Sequence, residues 1–216
     1  MTDRLNKIFS LIPNCKVFAD VGCDHGYLSK AVLDGKKAQK VYFSDLSKNC
    51  LDKAKRLLFD YEQKGEAIGV VSNGFENLEG DIDCALVAGM GGEEILLILK
   101  NAKTLPKTLI LQPMKNAEKV RRFLNGVGYV LSTDVTFKAD GKFYDIICAS
   151  KGKESLTEDE AFFGKDNLSQ MPIAFIERWK NRKNDILGFL SNKGLSEINK
   201  KALLSELERI NRYVKD

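Results

Sequence analysis

Along the first two-thirds of the chain, short apolar runs alternate with stretches whose apolar residues recur every three or four positions. The runs at 17–21, 41–43, 67–71, 83–88 and 108–112 are short, mostly aliphatic and end in small or polar residues, so they predict strands. Between and before them the spacing is helical. Leu5, Ile8, Phe9 and Ile12 define a first helix, closed by Pro13-Asn14, and residues 27–33 a second, stopped by Asp34-Gly35. Ser47 suits the N-cap of a helix over 51–61 that Gly65 ends, and two more helices fall at 93–99 and 117–124. The rhythm then changes. Residues 129–138 and 143–150 read as two strands joined around Asp140-Gly141, a strong hairpin signal. Five β-α alternations followed by a hairpin predict an α/β fold, an open and mostly parallel sheet with an antiparallel edge strand.

Beyond the hairpin, residues 151–170 are polar and weakly patterned and read as a linker or mobile crossing. After Pro172 the helical period returns, with Ile176, Trp179, Ile186 and Leu190 on one face. Leu203, Leu207, Ile210 and Val214 keep the 4-3-4 spacing of a coiled-coil seam. Two antiparallel helices joined at 192–194 are the simplest arrangement. The expected division is therefore a domain over 1–152, then a linker and C-terminal helical coiled-coil domain over 153–216.

Composition narrows the class. With 44% hydrophobic and 30% charged residues in 216, the chain is neither disordered nor membrane-spanning, and its start lacks the apolar core of a signal peptide. The cysteines at 15, 23, 50, 84 and 148 are odd in number, scattered and without a C-x-x-C pair. A reducing cytoplasm is the economical reading, with no disulfide framework and no metal site. The net charge of +4 permits a nucleic-acid partner without demanding one. Residues 171–216 hold ten Lys and Arg against six Asp and Glu, with Arg178, Lys180, Arg182 and Lys183 close together. Each charge alone fits a solvated helix face; the run as a whole suits phosphate.

The chemistry concentrates where the first strand meets its helix, in Asp20-Val-Gly22-Cys-Asp24-His25-Gly26-Tyr27-Leu28. A dinucleotide fingerprint needs glycine at its first, third and sixth positions; counted from Asp20, this turn has Asp, Gly22 and His25. A carboxylate there repels a pyrophosphate but suits a cation, such as the sulfonium or α-ammonium of S-adenosylmethionine (SAM). The plainer reading is a strand-to-helix turn that Asp20 caps. The other strand ends are equally unusual. Asp45, followed by Leu46, stands about 20 residues on, where a carboxylate can accept from ribose hydroxyls or simply start a helix. Asn73-Gly74 offers donors and an acceptor to an adenine edge, or only a turn. In Ala88-Gly89-Met90-Gly91-Gly92, three glycines let backbone pass close to a ligand. His25, the single histidine, lies inside the first turn, where it can act chemically or donate to backbone.

Asp24-His25-Gly26-Tyr27-Leu28, Ala88-Gly89-Met90-Gly91-Gly92, Ile110-Leu111-Gln112-Pro113 and Asp140-Gly141-Lys142-Phe143-Tyr144, in this order, make the chain resemble the bacterial tRNA adenine-N1 methyltransferases of the TrmK family. The resemblance covers about the whole length. It implies a Rossmann-like class I methyltransferase fold with a helical C-terminal appendage, SAM as cofactor, and N1 of adenine 22 in the D arm of tRNA as the target. It implies no membrane and no metal. On this basis Asp20, Gly22, Gly26, Tyr27, Leu28, Asp45, Leu46, Asn73, Gly74, Ala88, Gly89, Met90 and Gly91 are expected to hold SAM. Asp24 and His25 are expected on the catalytic side, and Gln112, Pro113, Asn116, Lys142, Tyr144, Arg178, Arg182 and Lys183 against the tRNA. Three departures stand out: Met114 replaces the asparagine usual after Gln-Pro, Asp45 follows Ser44 rather than glycine, and Phe163-Gly164-Lys165 lacks a proline after its glycine. A SAM enzyme on another RNA or a small molecule, and a non-catalytic RNA-binding module of the same fold, are the alternatives. The missing glycines disfavour a dehydrogenase.

Overall fold

The computed structural model describes residues 1–192 and 194–215. Its elements run α1 (Asp3–Leu11), β1 (Cys15–Val21), α2 (Tyr27–Asp34), β2 (Ala38–Asp45), α3 (Lys48–Leu57), α4 (Phe59–Gln63), β3 (Ala67–Val71), β4 (Cys84–Met90), α5 (Gly92–Asn101), β5 (Thr108–Pro113), α6 (Ala117–Gly126), β6 (Tyr129–Ala139) and β7 (Lys142–Lys151). Four C-terminal helices follow: α7 (Glu158–Phe163), α8 (Lys165–Gln170), α9 (Ile173–Leu190) and α10 (Glu197–Tyr213). The seven strands form one sheet in the order β3-β2-β1-β4-β5-β7-β6. β1 to β5 pair in parallel, and β7 pairs antiparallel with both β5 and β6.

The apolar runs are continuous because both sheet faces are covered. Phe18, Leu86, Ile110 and Ile146 point into one core, which α1, α2 and α3 close through Ile8, Val32 and Leu51. Their chain neighbours Ala19, Val87, Leu111 and Ile147 point into the other, closed by Ile95 of α5 and Val120 of α6. The order reverses direction beside β1, so the carboxyl ends of β1 and β4 open a crevice. Helix 51–61 is in fact two helices, α3 and α4, because Leu58 turns in with φ −105° and ψ 9° and is fully buried.

Residues 151–170 are not the linker or mobile crossing that their polarity predicts. Thr157 and Glu160 form a reciprocal capping box that starts α7, and Ala161, Phe163 and Asn167 are buried. The partners are polar and distant in sequence. Arg121 of α6, 1% exposed, sets Nε 2.8 and 2.9 Å from the two carboxylate oxygens of Asp134, and its Nη1 donates to the carbonyls of Ala161 and Phe162. Asn167 accepts from the Thr136 amide at 2.7 Å and donates to the Phe163 carbonyl at 2.7 Å. α9 and α10 then pack on Phe163 as a hairpin. Ile176, Trp179, Ile186 and Leu190 meet Leu203, Leu207, Ile210 and Val214 in a third core. Of the expected junction at 192–194, Lys193 lies outside the described residues.

Candidate active site

The carboxyl ends of β1, β2, β3 and β4 surround a cavity of about 520 Å³, within the range of small-molecule sites. The turn after β1 wraps it with Gly22, Asp24 and Gly26 in the left-handed region, at φ 75°, 51° and 75°. The amides of Gly22 and Cys23 both donate to the Ser44 carbonyl, which ties this turn to the end of β2. A Cβ on Gly22 would lie 2.0 Å from the Met90 methyl, so the β1 and β4 turns touch where a side chain would stand.

Asp20 sits at the base, 4% exposed, with Ser29 Oγ donating to it at 2.7 Å. Burial pushes its carboxyl up to about 6, against the pull of the Ser29 bonds, and nearby Asp45 adds to the rise. A carboxylate this poorly solvated gains most from a cation. Asp45 accepts from the Asp24 amide at 3.1 Å and from the Ser47 amide at 2.8 Å, so it braces the turn while each oxygen keeps acceptor capacity. Asn73 donates to Glu76 at 2.9 Å, and Gly74 presses on Ile98 of α5. At Gly89, φ 80°, the β4–β5 ladder shifts register and the Ala88-Gly89-Met90 backbone bends along the cavity. His25 Nε2 lies 3.6 Å from Asp24, and its ring stacks on Tyr27 at 5.7 Å and 7°.

The expected SAM and catalytic residues largely converge: Asp20, Gly22, Asp24, His25, Tyr27, Leu28, Asp45, Leu46, Asn73, Gly74, Ala88, Gly89 and Met90 all line the cavity. Gly26 and Gly91 do not. Gly26 lets α2 start against Ala54, where a Cβ would approach to 2.9 Å, and Gly91 is the N-cap of α5.

The residues expected against tRNA are dispersed. Gln112 is fully buried, with Arg4 Nη1 donating to its Oε1 at 2.7 Å, and Pro113 ends β5 beside Met90. Asn116 is exposed, left-handed and bonded to Glu93. Lys142 is exposed where β7 begins, while Tyr144 is buried against Phe137. On α9, Arg178 donates to Asp145 at 2.8 Å, and Arg182 grips both oxygens of Glu206 at 2.8 Å; Lys183 lies one residue on. Arg4, Leu5, Glu94, Leu97 and Ile98 line the cavity without having been expected there. Leu5 fits an ordinary apolar position of the first helix, and Glu94, Leu97 and Ile98 fall within the helix expected at 93–99. Arg4 had no signal beyond being a cation in a helix that precedes the first strand.

The described residues contain no group of His, Cys, Asp and Glu that could hold a metal ion, and no helix is long and apolar enough to cross a membrane. A methyltransferase-domain family model matches residues 1–147. The chain is 31% identical, over 74% of its length and 68% of the relative's, to a tRNA (adenine(22)-N(1))-methyltransferase of Bacillus subtilis. The crystal structure of the B. subtilis m1A22 tRNA methyltransferase TrmK superposes with a TM-score of 0.89 at 26% identity, covering 100% of this chain and 99% of that one. Mycoplasma capricolum TrmK, solved with S-adenosyl-homocysteine, superposes equally well at 24% identity over 99% and 97% of the two chains. With a match that spans the cavity and both halves of the fold, the chain belongs to the TrmK family of tRNA (adenine-22-N1)-methyltransferases.

Proposed function

We propose that the cavity holds SAM and that a tRNA adenine, A22 of the D arm, is methylated at its mouth. The chain is a SAM-dependent tRNA adenine-N1 methyltransferase. What carries the reading, within that family, is a strand-end cavity lined by four carboxylates, three of them, Asp20, Asp24 and Asp45, at the ends of β1 and β2. When bound, SAM supplies an electrophilic methyl group on a sulfonium.

The residues divide the work by charge. Asp20, starved of solvent, takes the cationic end of the cofactor; Asp45 accepts from the ribose hydroxyls. Asn73 and Gly74 meet the adenine, closed from behind by Ile98 of α5. The bend at Gly89 brings backbone, with no side chain in the way, along the reacting end. Adenine N1 already has a free lone pair, so no side chain must first remove a proton. Methylation leaves the ring positive, and stabilisation comes from negative charge fixed nearby. Asp24 meets that need: it lines the cavity, and its side chain is 70% exposed, open to an incoming base. The stacked His25 and Tyr27 rings offer a face for a base that has left the RNA stack, as reaction at a Watson–Crick edge requires. The tRNA substrate and the five free cysteines both fit a cytoplasmic enzyme.

Transfer of label from methyl-labelled SAM to an unmodified tRNA transcript tests this, with the Asp24→Ala protein alongside. Label should enter the A22 transcript and not a G22 transcript. Asp24→Ala should lower kcat on the order of 10²-fold while SAM affinity holds within twofold. Equal loss of turnover and SAM affinity would make Asp24 a cofactor residue and remove its catalytic role.

A further inference from the structure

Four carboxylates, Asp20, Asp24, Asp45 and Glu94, line the cavity and repel phosphate, so an RNA backbone has to stay outside while a base enters. Two lysines stand outside, on its β2 and β5 sides. Lys48 is the first residue of α3 and lies two residues past Leu46, which lines the cavity and is 72% exposed. Lys115 lies two residues past the end of β5. Its carbonyl accepts from the Gly92 amide at 3.0 Å, and its side chain runs over Gly91, where a Cβ would stand 3.4 Å from Cε. Both lysines are exposed, and among the described residues neither ammonium has an ion-pair or hydrogen-bond partner. Glu93, whose charge Lys115 also feels, is gripped by Lys119 and Asn116.

Both cations stand at the less favourable end of a helix, because the first turn carries the positive end of the helix dipole and favours acidic residues. α5 follows the rule with Glu93 and Glu94. α3 has no acidic residue in its first turn and starts on Lys48. Lys115 stands one residue ahead of Asn116, the N-cap of α6, whose side chain makes no capping bond. The adjacent strands β2, β1, β4 and β5 run parallel, so the ends of β2 and β5 are three spacings apart, about 14 Å. A few nucleotides cover that span. Resting on the tRNA reading above, we infer that Lys48 and Lys115 anchor the RNA strand that carries the target adenine, each taking a backbone phosphate, one on either side of the flipped nucleotide. They are positioning residues. Backbone contacts fix register rather than sequence, and holding the strand on both sides leaves the base between them free to turn into the cavity.

Steady-state methylation of the A22 tRNA at several salt concentrations reads this, alongside tRNA assembled with neutral methylphosphonates on either side of nucleotide 22. Lys48→Gln and Lys115→Gln should each raise KM about threefold to tenfold, more than they lower kcat, and flatten the slope of log KM against log salt by about 0.7. SAM affinity should hold within twofold. A neutral linkage should raise the wild-type KM by a similar factor, and the variant that has lost the matching lysine should suffer little further from it. Lys48→Glu, better suited to the start of α3, should unfold at higher urea while weakening tRNA further; loss of both would make Lys48 a support of the fold and overturn its role. Unchanged KM in both glutamine variants, or losses that add in full to those of the neutral linkages, would overturn the assignment while the substrate reading stands. Wild-type protein that binds SAM and methylates no A22 tRNA would overturn that reading and this inference together.

Discussion

At the scale of single residues, Asp20 ties burial to a measurable pH dependence. Its carboxyl titrates near 6 in the folded protein, against 3.8 for the ordinary group. Between those values the folded state binds the proton that the unfolded chain releases, so stability falls as pH rises through this window and levels off above 6. The whole effect is about 3 kcal/mol at neutral pH. A bound cation reverses the preference. SAM binding should therefore release a proton near pH 5.5, and affinity should fall as pH drops below 6. Calorimetry in buffers of different ionisation enthalpy should register the release in wild-type protein and lose it in Asp20→Asn, which should also unfold at higher urea at pH 7. A pH-independent SAM affinity between 5 and 7 would contradict this role for Asp20. Asp20 itself was legible, because an acidic residue closing an apolar run before a glycine is unusual. Arg4 was not. Its partner Gln112 is 108 residues away, and no local pattern reports such a contact.

At the scale of elements, the strands were legible for a physical reason: a run buried on both faces is apolar without interruption. The ends of β2 and β4 extend past their apolar centres because pairing with neighbours continues through Ala38, Asp45 and Met90. α7 and α8 were illegible because they are held by a buried polar network rather than an apolar stripe. The Arg121 contacts to Asp134 and the Asn167 contacts to Thr136 join segments roughly 13 to 31 residues apart. Removing one member strands the others without solvent. Asp134→Ala should cost about 3–5 kcal/mol in urea unfolding, far more than the ~1 kcal/mol expected of Thr157→Ala at the α7 cap. Similar small losses for both would show that the helices are held by Phe163 and its apolar neighbours alone.

At the scale of the molecule, the C-terminal helices are joined to the edge of the sheet by ion pairs. Arg178 reaches Asp145 of β7, and Lys138 of β6 reaches Glu177 of α9. Burial opposes it, yet Arg178 and Arg121 hold Asp145 below its ordinary range. The basic run that looked available for phosphate is thus partly committed: Arg178 and Arg182 each grip a carboxylate, facts of tertiary pairing that a charge count cannot contain. The same ties hold the helical unit against the edge of the sheet that carries the cavity. We propose that the cavity receives one tRNA adenine by its N1 edge. Nucleoside mass spectrometry of a digested, unmodified tRNA transcript, incubated with the protein and SAM, tests it most directly. N1-methyladenosine is expected from the A22 transcript and none from a G22 transcript; methylation at another atom or position, or no product while SAM binds, would rule this out.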